Sequence, residues 1–425
     1  MNTVENNQAP RKSYLRGWLI WSIASSFVLF QFFLQLSSGA IVGSLMQSFH
    51  ISAFGAGLLA STYYYVYVSL QAPSGLLIDR YGPRLLLSLG ALVCALGTFM
   101  FGFVDSVWLS ALGRVLMGTG AACAFVGSLN LIARWFPPER FAFMAAIAEA
   151  VGMMGTIIGS TLLAMLLSHY GWRECMVGAA ILAVFISMLI AIFVRNAPAH
   201  AVQMESSLQP NRFWGGIMHL AKNKIAWING IYSGLMFSIV TVFVALWGVP
   251  FLMRSHNLSL VHAILCCNSV FLGVAIGGPI IGWLDGCFQI RRIVLVSFAF
   301  ASCLLTLLII YLTILPTSLL VVLMIILGMM ISAYVLNFAV ANEIVPNYLR
   351  GTSMGFTNML SVCTAPIMQP LVGLLLELMV NHTILQHGLH NYRLIDYQVA
   401  LSVLPLACFI AGFLAFLIPG KKTTL

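Results

Sequence analysis

Gly75-Leu-Leu-Ile-Asp79-Arg80-Tyr81-Gly82-Pro83-Arg84 separates two apolar runs, 53–78 and 85–104. Each run holds about 20 residues or more, the length a ~30 Å hydrocarbon core asks of a helix. The stretch therefore reads as a tight hairpin between two membrane helices. Gly82 and Pro83 suit the turn, Gly75 suits close helix approach, and Asp79, Arg80 and Arg84 gather charge at one membrane face. A second copy, Gly282-Trp-Leu-Asp285-Gly-Cys-Phe-Gln-Ile-Arg291-Arg292, follows another apolar run. Asp285 lies 206 positions after Asp79, about half of the 425 residues. Repetition at that spacing predicts a duplicated membrane bundle.

Working outward, apolar runs predict helices at 17–46, 53–78, 85–104, 107–133, 141–168, 175–194, 225–252, 260–284, 293–314, 317–341, 352–378 and 399–419. Every third run, the third, sixth, ninth and twelfth, contains no Asn, Gln, His or charged residue. Each of the others carries at least one, such as Gln31, Gln71, Arg114, Glu149, Asn229, Asn268, Asn337 or Gln369. Polar groups in lipid must face protein or water. The eight polar helices are expected to surround a wet pathway, with the four apolar ones shielding them, which is the layout of a solute carrier. The expected fold is an all-α membrane protein, twelve transmembrane helices in two pseudo-symmetric six-helix halves. Residues 1–194 form the first half, 195–224 a polar linker with one short amphipathic helix near Trp214–Leu220, and 225–425 the second half.

Composition and charge agree. The chain is 61% hydrophobic and 7% charged, far from a soluble domain. A net charge of +9 would suggest nucleic acid in a soluble protein, but its distribution gives another reason. With the amino terminus inside, Arg173, Arg254 and Arg393 are the only Lys or Arg on the outer side, and Arg114 lies within a helix. All the others fall in cytoplasmic segments, as the positive-inside rule requires. Both termini are then cytoplasmic. Met1 to Arg16 is polar and the run after it is too long for a signal core, so no cleavable signal is expected. The nine cysteines have no metal-like spacing and read as small packing residues; no metal or cofactor is expected.

Several residues stand out. Arg114 is the one cation inside a helix, about 10 Å from the outer end of helix 4. It must point inward, either toward a substrate carboxylate or a proton-binding neighbour, or onto backbone carbonyls that it fastens. Glu149 is the one carboxylate well inside a helix, about 12 Å from the inner end of helix 5. A carboxyl so far from water is costly to charge, which suits a proton carrier; a substrate-amine partner or a static hydrogen-bonded group are the alternatives. Gln31, Gln35 and Ser38 form one stripe on helix 1, and Tyr63, Tyr67 and Gln71 share a face of helix 2, as a polar wall or as interfacial aromatics. The second half offers neutral groups: Asn229, Tyr232, Trp247, Asn268, Tyr334, Asn337, Asn358 and Gln369. Glu343 and Glu377 sit at helix ends, as solvated or gate residues. Asp79 at a helix end can bond amides at the positive end of a neighbouring helix, and Arg80 and Arg84 can pair across the halves. Gly75, Asp79, Arg80, Gly82 and Arg84 thus read as a conformational latch or as a plain positive-inside anchor. Asp285 and Arg291 form a second latch, expected to be weaker because an extra residue separates them and no Gly adjoins the arginines.

Gly75–Arg84 resembles the signature loop between helices 2 and 3 of the major facilitator superfamily. Arg114-Val-Leu-Met-Gly118-Thr-Gly120 is similar to its helix-4 signature, and Arg134–Arg140 to its next cytoplasmic loop. At finer grain, Leu34-Gln35, Arg134–Pro138, Leu246–Leu252, Gln369–Gly373 and Tyr397–Pro405 resemble the phagosomal-transporter group of intracellular gammaproteobacteria. That resemblance implies a bacterial inner-membrane protein taking up amino acids or nucleosides by proton symport. Relatives in that group often carry an acid where this chain has Gln31, which leaves coupling to Glu149 or leaves the carrier uncoupled. Gly152, Gly155 and Gly159 suit close helix contact, but the proline of the drug-exporter helix-5 signature is missing, which counts against efflux.

The substrate is bounded by absence. A dianion normally needs two cations, and the helices offer one. A zwitterion needs the opposite charges that Arg114 and Glu149 supply; a neutral nucleoside would use the Asn, Gln and Tyr set. The expectation is a monomeric proton symporter of a small zwitterionic or neutral nutrient: an amino acid, short peptide or nucleoside. An exporter of drugs, siderophores or metabolites, or an uncoupled facilitator, is the alternative. Loops mostly under about 20 residues leave little room for a signalling module, and no nucleophile–base–orienter set suggests an enzyme.

Overall fold

A computed structural model of the chain describes residues 11–36, 38–136, 141–196, 218, 220–288, 290–345, 350–379 and 392–420. In the first half, α1 spans Arg11–Leu36 and continues through a 3-10 turn, Ser38–Ala40, into Val42–Phe49. Then come α2 (Ala53–Tyr81), α3 (Pro83–Phe103) and α4, which runs Val107–Ala121 and Ala124–Trp135. α5 (Phe141–Leu166) and α6 (Trp172–Phe193) complete it. In the second half, α7 comprises Lys224–Ser238, a π-helical stretch Ile239–Trp247 and Gly248–Ser255. α8 (Leu260–Phe288) and α9 (Arg291–Tyr311) follow. α10 is Thr317–Ile331, a 3-10 turn Ser332–Val335 and Leu336–Glu343. α11 is Arg350–Cys363 with Ala365–Met379, and α12 is Leu394–Leu401 with Val403–Ala415.

All but α2 are long and apolar enough to cross a bilayer by length and composition. α2, at 29 residues, is the twelfth span, its apolarity diluted by Tyr63, Tyr64, Tyr65 and Tyr67. The described residues contain no strand. The linker expected at 195–224 falls mostly outside them, as do most of Trp214–Leu220 and Pro137–Arg140.

The every-third pattern has a structural counterpart. α3 packs along α6 and α9 along α12, and each pair turns apolar side chains outward: Leu96 and Phe185 in one, Leu304 and Phe413 in the other. Val184 and Phe409 are exposed, while Ser187 is buried with its hydroxyl donating to the Ser88 carbonyl of α3, 2.7 Å away. The absence of polar residues holds for the middles of these helices rather than their ends. α6 begins early enough to include Arg173 and Glu174, and α12 includes Asp396 and Gln398. First turns have free N–H groups that draw polar partners, as where the Asp396 carboxylate accepts from the Arg393 amide at 2.8 Å.

The pseudo-symmetry extends to close packing. A β-carbon on Gly118 of α4 would collide with the Tyr63 carbonyl of α2, and one on Gly328 of α10 with the Val270 carbonyl of α8. Small residues let helices approach to backbone contact, which stands in for a hydrophobic drive that lipid does not supply. The first helix of each three-helix unit, α1, α4, α7 and α10, departs from regular α geometry in mid-course.

The halves meet through α2 with α11, α5 with α8, and the α1 turn with the α7 π stretch. These contacts gather at one end of the bundle, the end that carries the start of α2 and the start of α8. A β-carbon on Gly57 would stand 2.7 Å from the Gln369 carbonyl, and one on Gly39 3.0 Å from the Leu246 carbonyl. Gly373 allows no side chain against the Ala53 carbonyl. Tyr392, outside the spans, bonds the Ala53 backbone, and burial raises its phenol pKa, so it stays protonated.

Candidate functional site

At mid-bundle, Glu149 of α5 is half-buried and faces the 3-10 turn of α10. The Tyr334 hydroxyl donates to its Oε1 at 3.1 Å, a bond from one half to the other. Tyr334 packs on Phe237 of α7 with ring centroids 4.9 Å apart, and on Phe338 at 6.5 Å. From α2, the buried Tyr67 lies in the electrostatic neighbourhood of Glu149.

The α1–α2 wall continues from there. Tyr67 and Tyr63 stack at 5.6 Å, one turn apart, with an interplanar angle of 15°. Gln31 donates from Nε2 to Gln35 Oε1 at 2.5 Å and to the Tyr63 hydroxyl at 3.3 Å. The Tyr64 hydroxyl donates to the Gln35 carbonyl at 2.9 Å. Gln71 follows Tyr67 one helical turn on and is buried. Gln31 Oε1 and Gln71 Nε2 are buried with no hydrogen-bond partner in the protein, the kind of atom a water or solute satisfies.

Arg114 does not join Glu149. Its guanidinium donates to the Leu34 carbonyl (3.4 Å), the Ser38 hydroxyl (3.2 Å) and the Ala60 carbonyl (3.0 Å). Its central carbon lies 5.3 Å from the Tyr63 ring centre and 5.8 Å from that of Phe101. The Leu34 carbonyl belongs to the last turn of α1, where the macrodipole is negative and a cation is stabilised. Arg114 thus caps the break in α1.

Gln369 of α11 is a junction at the meeting of the halves. Its Nε2 donates to the Thr241 carbonyl inside the π stretch at 2.7 Å, and its Oε1 accepts from Ser61 of α2 at 3.4 Å. Trp247 Nε1 donates to the Gln369 carbonyl at 3.1 Å, and Tyr65 of α2 donates to the Pro366 carbonyl at 2.8 Å. Asn268 of α8 accepts from Ser160 at 2.9 Å and donates to Thr161 at 2.9 Å, both on α5.

Other candidates lie within the second half. Tyr232 donates to the Leu295 carbonyl of α9 at 2.9 Å. Asn337 and Asn229 exchange side-chain-to-backbone bonds at 3.3 and 3.0 Å, tying α10 to α7. Asn358 is half-buried on α11.

The two charged hairpins differ. Gly75 is half-buried near Val126 of α4, and Gly82 has φ +85° with no room for a side chain beside Asn196. Arg80 is exposed over the Tyr81 ring. Arg84 donates to the Ala191 carbonyl at the end of α6 (2.5 and 2.9 Å), within its own half. The Asp79 side chain lies outside the described part. Arg291 is buried and forks between Asp285 (2.9 Å) and Glu343 (2.7 Å), joining α8, α9 and α10. Sequence reading gave Arg291 no partner beyond Asp285, because nothing in spacing brings the end of α10 beside the α8–α9 hairpin. It likewise gave no role to Ser61, Ser160 or Phe237.

The Major Facilitator Superfamily profile matches residues 20–370. The chain is 28% identical to the uncharacterized transporter YybO of Bacillus subtilis over 37% of this chain and 36% of that one. It is 23% identical to the probable galactarate/D-glucarate transporter GudP of Escherichia coli over 80% of this chain and 83% of that one. A bacterial homologue of the human lysosomal transporter Spinster, solved inward-facing and unoccupied, superposes with a TM-score of 0.77 at 16% identity, covering 95% of this chain and 96% of that one. The YybO match spans only about a third of that relative. With the profile covering most of its length and twelve membrane spans in two six-helix halves among the described residues, the chain belongs to the Major Facilitator Superfamily and is a multi-pass membrane protein.

Proposed function

We propose that this transporter takes up a small neutral or zwitterionic nutrient with protons, in the manner of the phagosomal-transporter group that its sequence resembles. The observation that carries this reading is the Tyr334–Glu149 bond between halves. A carboxylate accepts a hydrogen bond more strongly than a neutral carboxyl, so protonation of Glu149 weakens a tie between the halves and couples proton binding to their movement. Gln31, Gln35, Tyr63, Tyr67 and Gln71, with Gln369 beyond them, supply the neutral wall against which the solute sits. Arg114 holds the α1 break behind that wall, and Tyr232 and Asn337 brace the second half. A sugar acid such as GudP is named for carrying finds no cation on this Gln–Tyr wall, because Arg114 lies behind it. Charge asymmetry supports an inner-membrane protein with both termini cytoplasmic, halves at 1–194 and 225–425 and a linker at 195–224. The closed end is then the outer one, and the conformation is inward-open.

The test is Glu149→Gln in proteoliposomes. A neutral amide mimics the protonated carboxyl, so pH-driven accumulation of the solute should stop while counterflow exchange persists. Full gradient-driven uptake by the variant would reject Glu149 as the proton site. Outward-directed, drug-stimulated flux would instead favour an exporter.

A further inference from the structure

We propose that Arg114 and Ser38 form a binding site for a small monatomic anion of the chloride type, inside the first half and behind the α1–α2 wall. Arg114 is 5% exposed, and among the described residues no carboxylate pairs with it, every ion pair there involving Arg173, Arg291 or Arg393. Its hydrogen bonds to two carbonyls and a hydroxyl orient the guanidinium, and the end of α1 and the Tyr63 and Phe101 rings offset part of its charge. A buried cation without a full counter-charge nevertheless remains costly. A cavity of about 20 Å³ adjoins it. Besides Arg114 and Ser38 the wall is apolar: Phe33, Leu34 and Ile41 from the α1 region, Phe101 of α3, Met117 of α4, Leu163 of α5 and Met176 of α6. All of these belong to the first half.

Size sets the ligand class. One water needs roughly 10–15 Å³, so a space of about 20 Å³ beside Arg114 holds one water or one monatomic ion. Chemistry sets its sign. A guanidinium has five N–H donors, and three bonds account for only part of them. The Ser38 hydroxyl accepts from Arg114, which leaves its own proton to point elsewhere. The site thus offers a cation and donors without a competing acid. Its position gives it a consequence. Ser38 begins the turn whose Gly39 rests on the α7 backbone, so an anion that stiffens this turn favours closure of that end of the bundle.

The experiment uses the full chain in detergent at constant ionic strength, exchanging chloride or bromide for gluconate. The melting temperature should rise with halide and saturate, as for any ligand of the folded state. Ser38→Ala, which keeps the charge, should need about tenfold more halide, since it removes one hydrogen bond to a charged ligand. Arg114→Gln should lose the response. Should that variant not fold, crystals soaked in bromide supply the second measurement, an anomalous peak beside Arg114. Equal melting in chloride and gluconate, or a bromide peak absent from the cavity, overturns the proposal and leaves the cavity to water. None of these readouts depends on solute or proton coupling, so they stand or fall apart from the transport reading.

Discussion

Tyr334 shows how one hydroxyl can join the two halves. It sits in the 3-10 turn of α10, held by Phe237, with its hydroxyl on Glu149. Tyr334→Phe keeps the ring packing and removes only the donor. The variant should fold with a melting temperature near that of the parent but transport with a flatter dependence on external pH, because Glu149 no longer signals its protonation to α10. An unchanged pH profile would return Tyr334 to simple packing. Gln369 carries a different load. Gln369→Leu leaves the Thr241 carbonyl buried without its donor, and an unsatisfied group of that kind costs about 1–3 kcal/mol. A lowered melting temperature in detergent is expected, whatever the solute.

Among the elements, the long apolar runs made helix positions legible, since a membrane span must be long and apolar. The hairpin repeat made the halves legible. The irregular mid-courses of α1, α4, α7 and α10 were not. No proline falls inside Ile239–Trp247, and the Thr241 carbonyl of that stretch is taken by Gln369 of a distant helix, a contact that spacing does not announce. The site was half legible for the same reason. Buried polar residues announce themselves in apolar runs, but their partners are set by tertiary contact, so Glu149 stands out in the sequence while its bond to Tyr334 does not. Arg114 left two readings open, and its bonds to Leu34 and Ala60 are those of a carbonyl fastener. The charged hairpin between α2 and α3 remains a proposed latch for the opposite conformation. Asp79→Asn should leave folding intact and slow or abolish turnover by loosening one end state; normal transport at normal expression would favour the anchor reading.

At the scale of the whole molecule, alternating access requires that the contacts now joining the halves separate in every cycle. α5 and α8 meet where Ser160 Oγ and Asn268 Oδ1 lie 2.9 Å apart. These side chains belong to opposite halves, so a covalent bond between them would hold that end shut. In the double variant Ser160→Cys with Asn268→Cys, made with the neighbouring Cys266 and Cys267 changed to Ala so that no native thiol competes, oxidation should stop turnover, and reduction should restore it, because only the bond and not the substitutions blocks the movement. Either single variant should transport with or without oxidant. Solute should still protect the oxidised protein against heat, since the opposite end of the bundle stays free to admit it. Transport that continued with the cross-link demonstrably formed would show that this end does not need to open, and would remove the rocking of one half against the other from the mechanism.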